Sequence, residues 1–237
     1  MRALLGLVLL SGCMVGTAPC DEAAAQLTSC SDDQREAFID ACEATGGAPD
    51  PAAFEDADTA CKAVPASLAF GGVQDSAETG VCVAAMYAVK WAVTVLSPTA
   101  VPLSDSSKAI LRPLYGSLVD DVRVSLGATL PPRIVFHGHE LAVEAQAMTF
   151  GNQIFMLGEV ATDTKTPYRL LLATVHEMRH AQQSQEAGGY YGFAVHYCRD
   201  MVAAHWNYNQ IGLEVNAYSV QNAARRSLQT CGHVTCP

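Results

Sequence analysis

Residues 166–183, TPYRLLLATVHEMRHAQQ, place two histidines and a glutamate within five positions of an otherwise apolar segment. Thr166 and Pro167 are typical of a helix start, and the glycine pair at 188–189 is typical of a helix end. The apolar residues before the first histidine favour an interior helix over a solvated one. Because buried histidines need partners, the fold must bring a further polar group against this helix.

The spacing of the three polar residues predicts a metal site. His176 and His180 lie four positions apart, so they share one face of a helix, where both rings can bind one ion. Glu177 is rotated by about 100° around the helix, where its carboxylate can reach a water in the open metal position. Zn²⁺ lowers the pKa of such a water to about 7, so Glu177 can act as general base. A surface helix with two solvated histidines is the alternative interpretation.

A catalytic zinc site needs a third protein ligand, and Glu214 is our prediction. It lies 34 positions after His180, in the later helix that we predict for GLEVNAYSVQ. A glutamate on a downstream helix is the arrangement found in gluzincins. The alternatives are Glu186, six positions after His180, where metzincins place a ligand, and then His196 or His205.

Attack on a carbonyl also needs a donor for the developing oxyanion. Tyr218, one turn after Glu214, is a candidate, together with Tyr190, Tyr191 and His205. The sequence does not choose among them. A helix-packing role for Tyr218 is the simpler interpretation.

The first residues, MRALLGLVLLSGC, have one arginine, a short apolar run and a small-residue site, which is typical of an export signal. LSGC resembles the lipobox of bacterial lipoproteins. We therefore expect a signal peptide at 1–12, a lipid anchor at Cys13 and a tether at 13–30. This predicts a lipoprotein of the bacterial cell envelope that faces the periplasm or the cell surface, with simple secretion as the alternative.

The cysteine count agrees with export. Assigning one of the nine cysteines to the lipid leaves eight, which could form four disulfides in an oxidising compartment with connectivity left open. No CxxC pair occurs, which argues against a zinc site made of cysteines. The eight are Cys20, Cys30, Cys42, Cys61, Cys82, Cys198, Cys231 and Cys236.

Charge and composition limit the partners. The chain has a formal net charge of −10, and half of its 237 residues are hydrophobic, as in folded globular proteins. This charge excludes nucleic acid held by bulk electrostatics. We expect a protein or peptide substrate.

The rest of the sequence predicts helices around a small β-structure. Residues 31–100 are predicted to form a disulfide-stapled helical region with a buried helix at 83–96. Apolar residues recur at helical spacing from Ser104 to Leu126, with Pro113 as a kink. The other predicted elements are a strand at 133–136, a tight hairpin with positive φ at Gly151 and Asn152, and one or two helices within 190–229, broken near Gly212.

Residues 131–183, together with Glu214, resemble the DUF4157 group of zincin-like domains, also called the extracellular contractile injection system core domain. PRIVFHGHE is similar to that family's strand ending in a histidine, AQAMTFGNQIFM to its T-x-G-x-x-I hairpin, and LLATVHEMRHAQQ to its LLAHELTHVVQQ helix. The resemblance implies zinc on His176 and His180, Glu177 as catalytic base, and Glu214 in the place of the family's downstream glutamate. Arg179 departs from the family pattern and puts a cation beside the second ligand, unless it points away.

The predicted fold is α+β and mostly helical. It is a minimal zincin fold with a small antiparallel hairpin or sheet in a domain at 101–237, after the disulfide-stapled helical region. The predicted function is that of an exported, lipid-anchored zinc metallopeptidase of gluzincin type that hydrolyses peptide bonds. A catalytically inactive zincin-fold binding or scaffold lipoprotein is the alternative.

Overall fold

The computed structural model describes residues 73–130, 134–136, 139–141, 146–157 and 167–236, with a few isolated positions between 24 and 39. The predicted signal at 1–12 and the anchor at Cys13 lie outside the described residues. So do most of the tether at 13–30 and the first half of the predicted region at 31–100, as well as the predicted helix cap at Thr166. The predicted domain boundary between residues 100 and 101 stays a prediction.

The described part of the chain is α+β and mostly helical, as predicted. Helices are α1 (Val73–Leu96), α2 (Asp105–Tyr115), α3 (Leu118–Asp121), α4 (Pro167–Glu186), α5 (Tyr190–Ala203) and α6 (Gly212–Cys231), with a 3₁₀ turn at Tyr208–Gln210 before α6. Strands are β1 (Val101–Pro102), β2 (Arg123–Ala128), β3 (Ile134–Phe136), β4 (His139–Leu141), β5 (Ala147–Phe150) and β6 (Gln153–Leu157).

Four strands form a mixed sheet in the order β1-β2-β6-β5. The β5–β6 hairpin is antiparallel, as predicted, but β2 pairs with β6 in parallel, so the sheet as a whole is not antiparallel. Gly151 has φ +64°, whereas Asn152 is not in the left-handed region. The two-residue loop therefore has positive φ only at its first position, which is the pattern of a type II′ turn. Strands β3 and β4 form a separate hairpin.

The helix predicted from the apolar spacing between Ser104 and Leu126 is correct only for the first part of this range. Ser104 accepts a hydrogen bond from the backbone N–H of Ser107 and caps α2, which contains Pro113 without a break. Residues 123–128 form β2 instead of helix. The register of β2 shifts between Leu126 and Ala128, where Gly127 has φ +76°, so its buried positions do not alternate as in a regular strand.

Strand β6 lies between two groups of buried side chains. Ile154 and Met156 belong to a group that includes residues of α2, α4 and α6, whereas Phe155 belongs to a group that includes residues of α1 and α5. Successive strand residues point to opposite faces, so β6 is covered on both sides. The sheet thereby fixes α4 on one face.

Helix boundaries agree with the sequence at the C-terminal half. Helix α4 ends at Glu186, just before the glycine pair at 188–189, and the region 190–229 forms two helices separated by residues 204–211. Helix α1 begins ten residues before the predicted buried helix at 83–96. No helix of the described residues is long and apolar enough to cross a membrane.

Two disulfides have both of their cysteines among the described residues. Cys82–Cys198 joins α1 to α5, and Cys231–Cys236 connects the C-terminal tail to the end of α6. Disulfides form and persist in oxidising compartments. The protein is therefore suited to an oxidising, exported environment.

Removing the Cys82–Cys198 disulfide is expected to lower the free energy of unfolding by about 5 kcal/mol. A disulfide reduces the entropy of the unfolded chain, and this effect grows with the length of the loop that it closes, here a separation of 116 positions. The matched control is the Cys231–Cys236 disulfide, with a separation of 5 positions. Its removal is expected to cost only about 2 kcal/mol. Denaturant unfolding of the two double Cys→Ala variants measures both values, and equal losses would contradict the loop-length explanation.

Candidate metal centre

Helix α4 is buried by apolar side chains on the face opposite to its polar cluster. Val175, Met178 and Ala181 are fully buried in the core group that contains Ile154 and Met156. The hydroxyl of Tyr115 on α2 donates to the carbonyl of Val175, 2.5 Å away, and attaches the helix to its neighbour. The apolar segment noted in the sequence therefore anchors an interior helix, and the solvated surface helix is excluded.

Helix α6 brings Glu214 to this cluster. The carboxylate of Asp200 on α5 accepts a hydrogen bond from the backbone N–H of Leu213, at 3.2 Å. A Cβ on Gly212 would lie 2.9 Å from the Asp200 Oδ2 atom, so glycine allows this close approach. An acidic group is stabilised at a helix N-terminus. Glu214 therefore sits in a first turn whose position is fixed by α5.

Three side chains with metal-ligating atoms converge in the interior. His176 Nε2 lies 3.1 Å from His180 Nε2 and 3.2 Å from Glu214 Oε2, and His180 Nε2 lies 3.4 Å from Glu214 Oε1. Among the described residues, these three form the one group of three or more His, Cys, Asp or Glu side chains close enough to hold a metal ion together. All three are buried, at 4–6% exposure.

The distances fit a small metal ion. Zinc bonds of about 2.0–2.1 Å at tetrahedral angles separate neighbouring ligand atoms by about 3.3 Å. The three separations, two of which involve different oxygens of Glu214, lie on both sides of this value. Two imidazole nitrogens and a carboxylate are also ligand types that divalent transition metals bind. The His-His-Glu group can therefore hold a metal ion.

Without a metal ion, the charges of the group favour a proton on His180. Burial lowers the pKa of His180, but the hydrogen bond to Glu214 and its charge outweigh burial and raise this pKa to about 9. Burial raises the pKa of Glu214, but hydrogen bonds from His176 and His180 outweigh it and hold this pKa well below its usual range. A proton therefore lies among the three ligands at neutral pH. A metal ion must displace it.

Glu177 stays out of the ligand group. The Thr149 hydroxyl on β5 donates to Glu177 Oε2 at 2.7 Å, and both residues are buried. Glu177 lies close enough for its charge to raise the pKa of His180, although less than Glu214 does. The structure thus holds one further carboxylate beside the three ligand side chains.

Three contacts around the ligands were not predicted from the sequence. Tyr197 on α5 donates to Glu214 Oε1 at 2.8 Å, and Tyr208 lies close enough to Glu214 to help lower its pKa. Burial and then the charge of Glu214 raise the pKa of both tyrosines, so both hydroxyls remain protonated donors. Gln183 lies against His180, with Oε1 2.8 Å from Nδ1. Only Gln183 carried a sequence signal, since it lies one helical turn after His180.

The alternative third ligands lie elsewhere. Glu186 forms a 2.7 Å ion pair with Arg179, and its side chain is half exposed. His196 and His205 are exposed and are not part of the ligand group. Of the four alternatives weighed from the sequence, the structure brings only Glu214 to the two histidines.

Arg179 points away from the ligands. Its Nε donates to Asn216 Oδ1 at 2.6 Å, and its Nη1 donates to Gln182 Oε1 and Glu186 Oε1. All three partners accept hydrogen bonds, and two of them lie on α4 itself. Arg179, the residue that departs from the family pattern, thus attaches α4 to α6.

Two of the predicted oxyanion donors, Tyr218 and Tyr190, lie in different environments. The ring of Tyr218 packs edge-on against His176, with 4.5 Å between ring centroids, and the residue is 43% exposed. The hydroxyl of Tyr190 donates instead to the carbonyl of Met86 on α1. Tyr218 therefore combines the packing role favoured by the sequence with a place beside a ligand.

Comparison with known proteins gives one match. Residues 102–188 match the family model of the eCIS core domain, which confirms the resemblance inferred for 131–183 and extends it toward the N-terminus. The match includes α4 with both ligand histidines and ends before α6 and Glu214. No curated protein and no solved structure is significantly similar to the chain.

Replacing Glu214 is expected to remove the metal, because the two histidines alone leave an incomplete site. In Glu214→Gln, we expect the affinity for a divalent ion to fall at least about 100-fold. Elemental analysis after dialysis against a metal buffer measures the bound metal per chain. The control is Glu186→Gln, which should keep its metal because Glu186 pairs with Arg179. Loss of metal in the control alone would show that the third ligand is misassigned.

Proposed function

We propose that the chain is an exported zinc-dependent metallopeptidase, with His176, His180 and Glu214 as zinc ligands and Glu177 as general base. The observation that carries the proposal is the buried His-His-Glu group with a separate carboxylate beside it. Two imidazoles and a glutamate are the ligand set of a catalytic zinc site with one open position. Closed structural sites more often use four ligands rich in cysteine.

The metal and the chain have separate tasks in this proposal. When bound, zinc supplies Lewis acidity, which polarises a carbonyl oxygen and makes water more acidic. Glu177 accepts the proton of the attacking water and delivers it to the leaving amine. Thr149 donates to one carboxylate oxygen of Glu177, at 2.7 Å, and so fixes the orientation of the carboxyl plane. The second oxygen is left for the proton transfer.

Two further side chains hold Glu214 and frame the substrate side. Tyr197 donates to Glu214 Oε1, which limits the rotation of this carboxylate. Tyr218 is partly exposed beside His176, so it is the best placed of the four candidates to approach a substrate carbonyl oxygen. A peptide is the proposed substrate because the chemistry of such a site acts on amide carbonyls, and the net charge of −10 disfavours nucleic acid.

Replacing Glu177 by glutamine is expected to abolish hydrolysis without loss of zinc. The amide keeps an oxygen to accept from Thr149 but cannot take a proton, so the rate should fall by about 10²–10⁴-fold. Cleavage of a mixed peptide library by the zinc-loaded parent and Glu177→Gln, with zinc content measured in parallel, tests this. Equal cleavage by both would refute the assigned base, and no cleavage by a zinc-loaded parent would favour a binding or scaffold protein.

The Thr149→Val variant provides a graded arm of the same experiment. It keeps the shape of the side chain but removes the hydroxyl that donates to Glu177. A hydrogen bond to a charged group contributes about 1.5–3 kcal/mol, so kcat is expected to fall about 10–100-fold. Zinc content and KM should be nearly unchanged.

We further propose that the protein is held at the bacterial cell envelope by lipid on Cys13. Support comes from the LSGC sequence and from the oxidising environment indicated by the disulfides. Cys13→Ser, produced in a bacterial host, is expected to move the protein from the membrane fraction to the soluble exported fraction. Mass spectrometry of the mature N-terminus shows the diacylglyceryl group directly, and an unmodified N-terminus downstream of Cys13 would favour simple secretion.

A further inference from the structure

We infer that Gln183 is a positioning residue that selects the metal-binding nitrogen of His180 and, with the same amide group, fixes the helix that carries Glu214. The inference rests on the proposed zinc site. Gln183 is 4% exposed, and its side chain is oriented by several hydrogen bonds. Its Oε1 lies 2.8 Å from His180 Nδ1, and its Nε2 lies 3.0 Å from the carbonyl oxygen of Leu213 and 3.2 Å from Asn216 Oδ1.

The orientation of the Gln183 amide follows from its partners on α6. The carbonyl of Leu213 can only accept a hydrogen bond, so the amide nitrogen of Gln183 must face it. Arg179 can only donate, and its Nε lies 2.6 Å from Asn216 Oδ1, so this oxygen is also an acceptor for Gln183. The amide oxygen of Gln183 must then face His180. Both neighbours therefore require the same orientation of the amide.

The orientation of the amide decides which tautomer of His180 can bind a metal. An amide oxygen only accepts, so Nδ1 of His180 must carry a hydrogen. The lone pair for a metal is then on Nε2, which is the atom that lies 3.1 Å from His176 Nε2 and 3.4 Å from Glu214 Oε1. A partner that fixes the tautomer of a ligand histidine also increases its basicity. Gln183 thus supports the affinity of the site without touching the ion.

The same amide links the two helices that supply the ligands. Leu213 and Asn216 flank Glu214 in the first turns of α6, whereas Gln183 and His180 lie on α4. One side chain therefore sets the tautomer of one ligand and the distance to another. Among the described residues, His176 Nδ1 has no hydrogen-bond partner. Within the described part of the chain, His180 therefore has a hydrogen-bond partner on its Nδ1 atom, whereas His176 does not.

The experiment measures zinc affinity, by competition with a chelator of known affinity, for the full chain and three variants. Gln183→Met keeps the length of the side chain but removes both ends of the amide, and is expected to weaken zinc binding about 10–100-fold. Gln182→Met is the matched control. It removes only an acceptor for Arg179 and should stay within about threefold of the parent.

The third variant, Gln183→Glu, separates the two roles. It keeps an oxygen for His180 Nδ1 but loses the donor to the Leu213 carbonyl. Zinc affinity should recover relative to Gln183→Met, whereas the backbone amides of the first two turns of α6 should exchange hydrogen faster than in the parent. A general loss of stability would weaken both properties together. Equal zinc affinity in Gln183→Met and Gln182→Met would overturn the inference.

A measurement on the parent protein keeps the inference testable if Gln183→Met does not fold. Long-range ¹H–¹⁵N spectra of the zinc-loaded protein distinguish the two ring nitrogens of each histidine. We expect His180 to bind zinc through Nε2 and to carry a slowly exchanging hydrogen on Nδ1, and zinc on Nδ1 would refute the role of Gln183. Because neither readout uses hydrolysis, a parent that binds zinc but cleaves no peptide would contradict the peptidase proposal alone.

Discussion

The arrangement of the helices depends on one buried contact, in which three acceptor groups from two helices come together. Two imidazole nitrogens and the two oxygens of one carboxylate, in contact at 3.1–3.4 Å, repel unless a proton or a metal ion lies among them. Without a metal ion, Glu214 favours a proton on His180, whose pKa it raises. The apolar face of α4 and the attachment of α6 to α5 keep the three groups together. Without such a frame, the group would move apart into water.

The sheet contributes the fourth polar group. Strand β6 is buried on both faces, so the hairpin that it forms with β5 cannot shift without disturbing both core groups. This hairpin ends in the Gly151 turn, only two residues after Thr149. The hydroxyl that holds Glu177 is therefore fixed by core packing and not by a surface loop. Side chains held on regular elements are placed more accurately than those on loops.

The sequence predicted those parts of the site that depend on local spacing. His176, Glu177 and His180 follow from the period of the helix, and Glu214 from a carboxylate on a later helix. The turn that returns α6 to α4 could not be predicted, because His205 and Trp206 adopt positive φ without being glycine or asparagine. The Thr149 contact was missed for a related reason. It joins residues 28 positions apart, and only the folded sheet brings them together.

The error over β2 has a different cause. Its apolar residues fit a helical period as well as an interrupted strand, since the shift at Gly127 breaks the alternation that identifies strands. In addition, β2 pairs in parallel with β6, which follows it by more than twenty residues, and no turn signal links the two. Local patterns thus identified the hairpin but not the mixed sheet. The helices that carry the site were better predicted than the sheet on which they pack.

The burial of Glu177 favours the proposed catalytic metal site over a structural one. Burying an ionisable carboxylate costs free energy unless it is well paired, and Glu177 has one short hydrogen bond from a neutral hydroxyl. A structural ion needs only its ligands, so it gives no reason to keep a fourth ionisable group buried beside them. Arg179, on the same helix, is used at the surface with Glu186 and does not neutralise Glu177. A buried carboxylate beside, but outside, a group that can hold a metal supports the general-base role that we propose for Glu177.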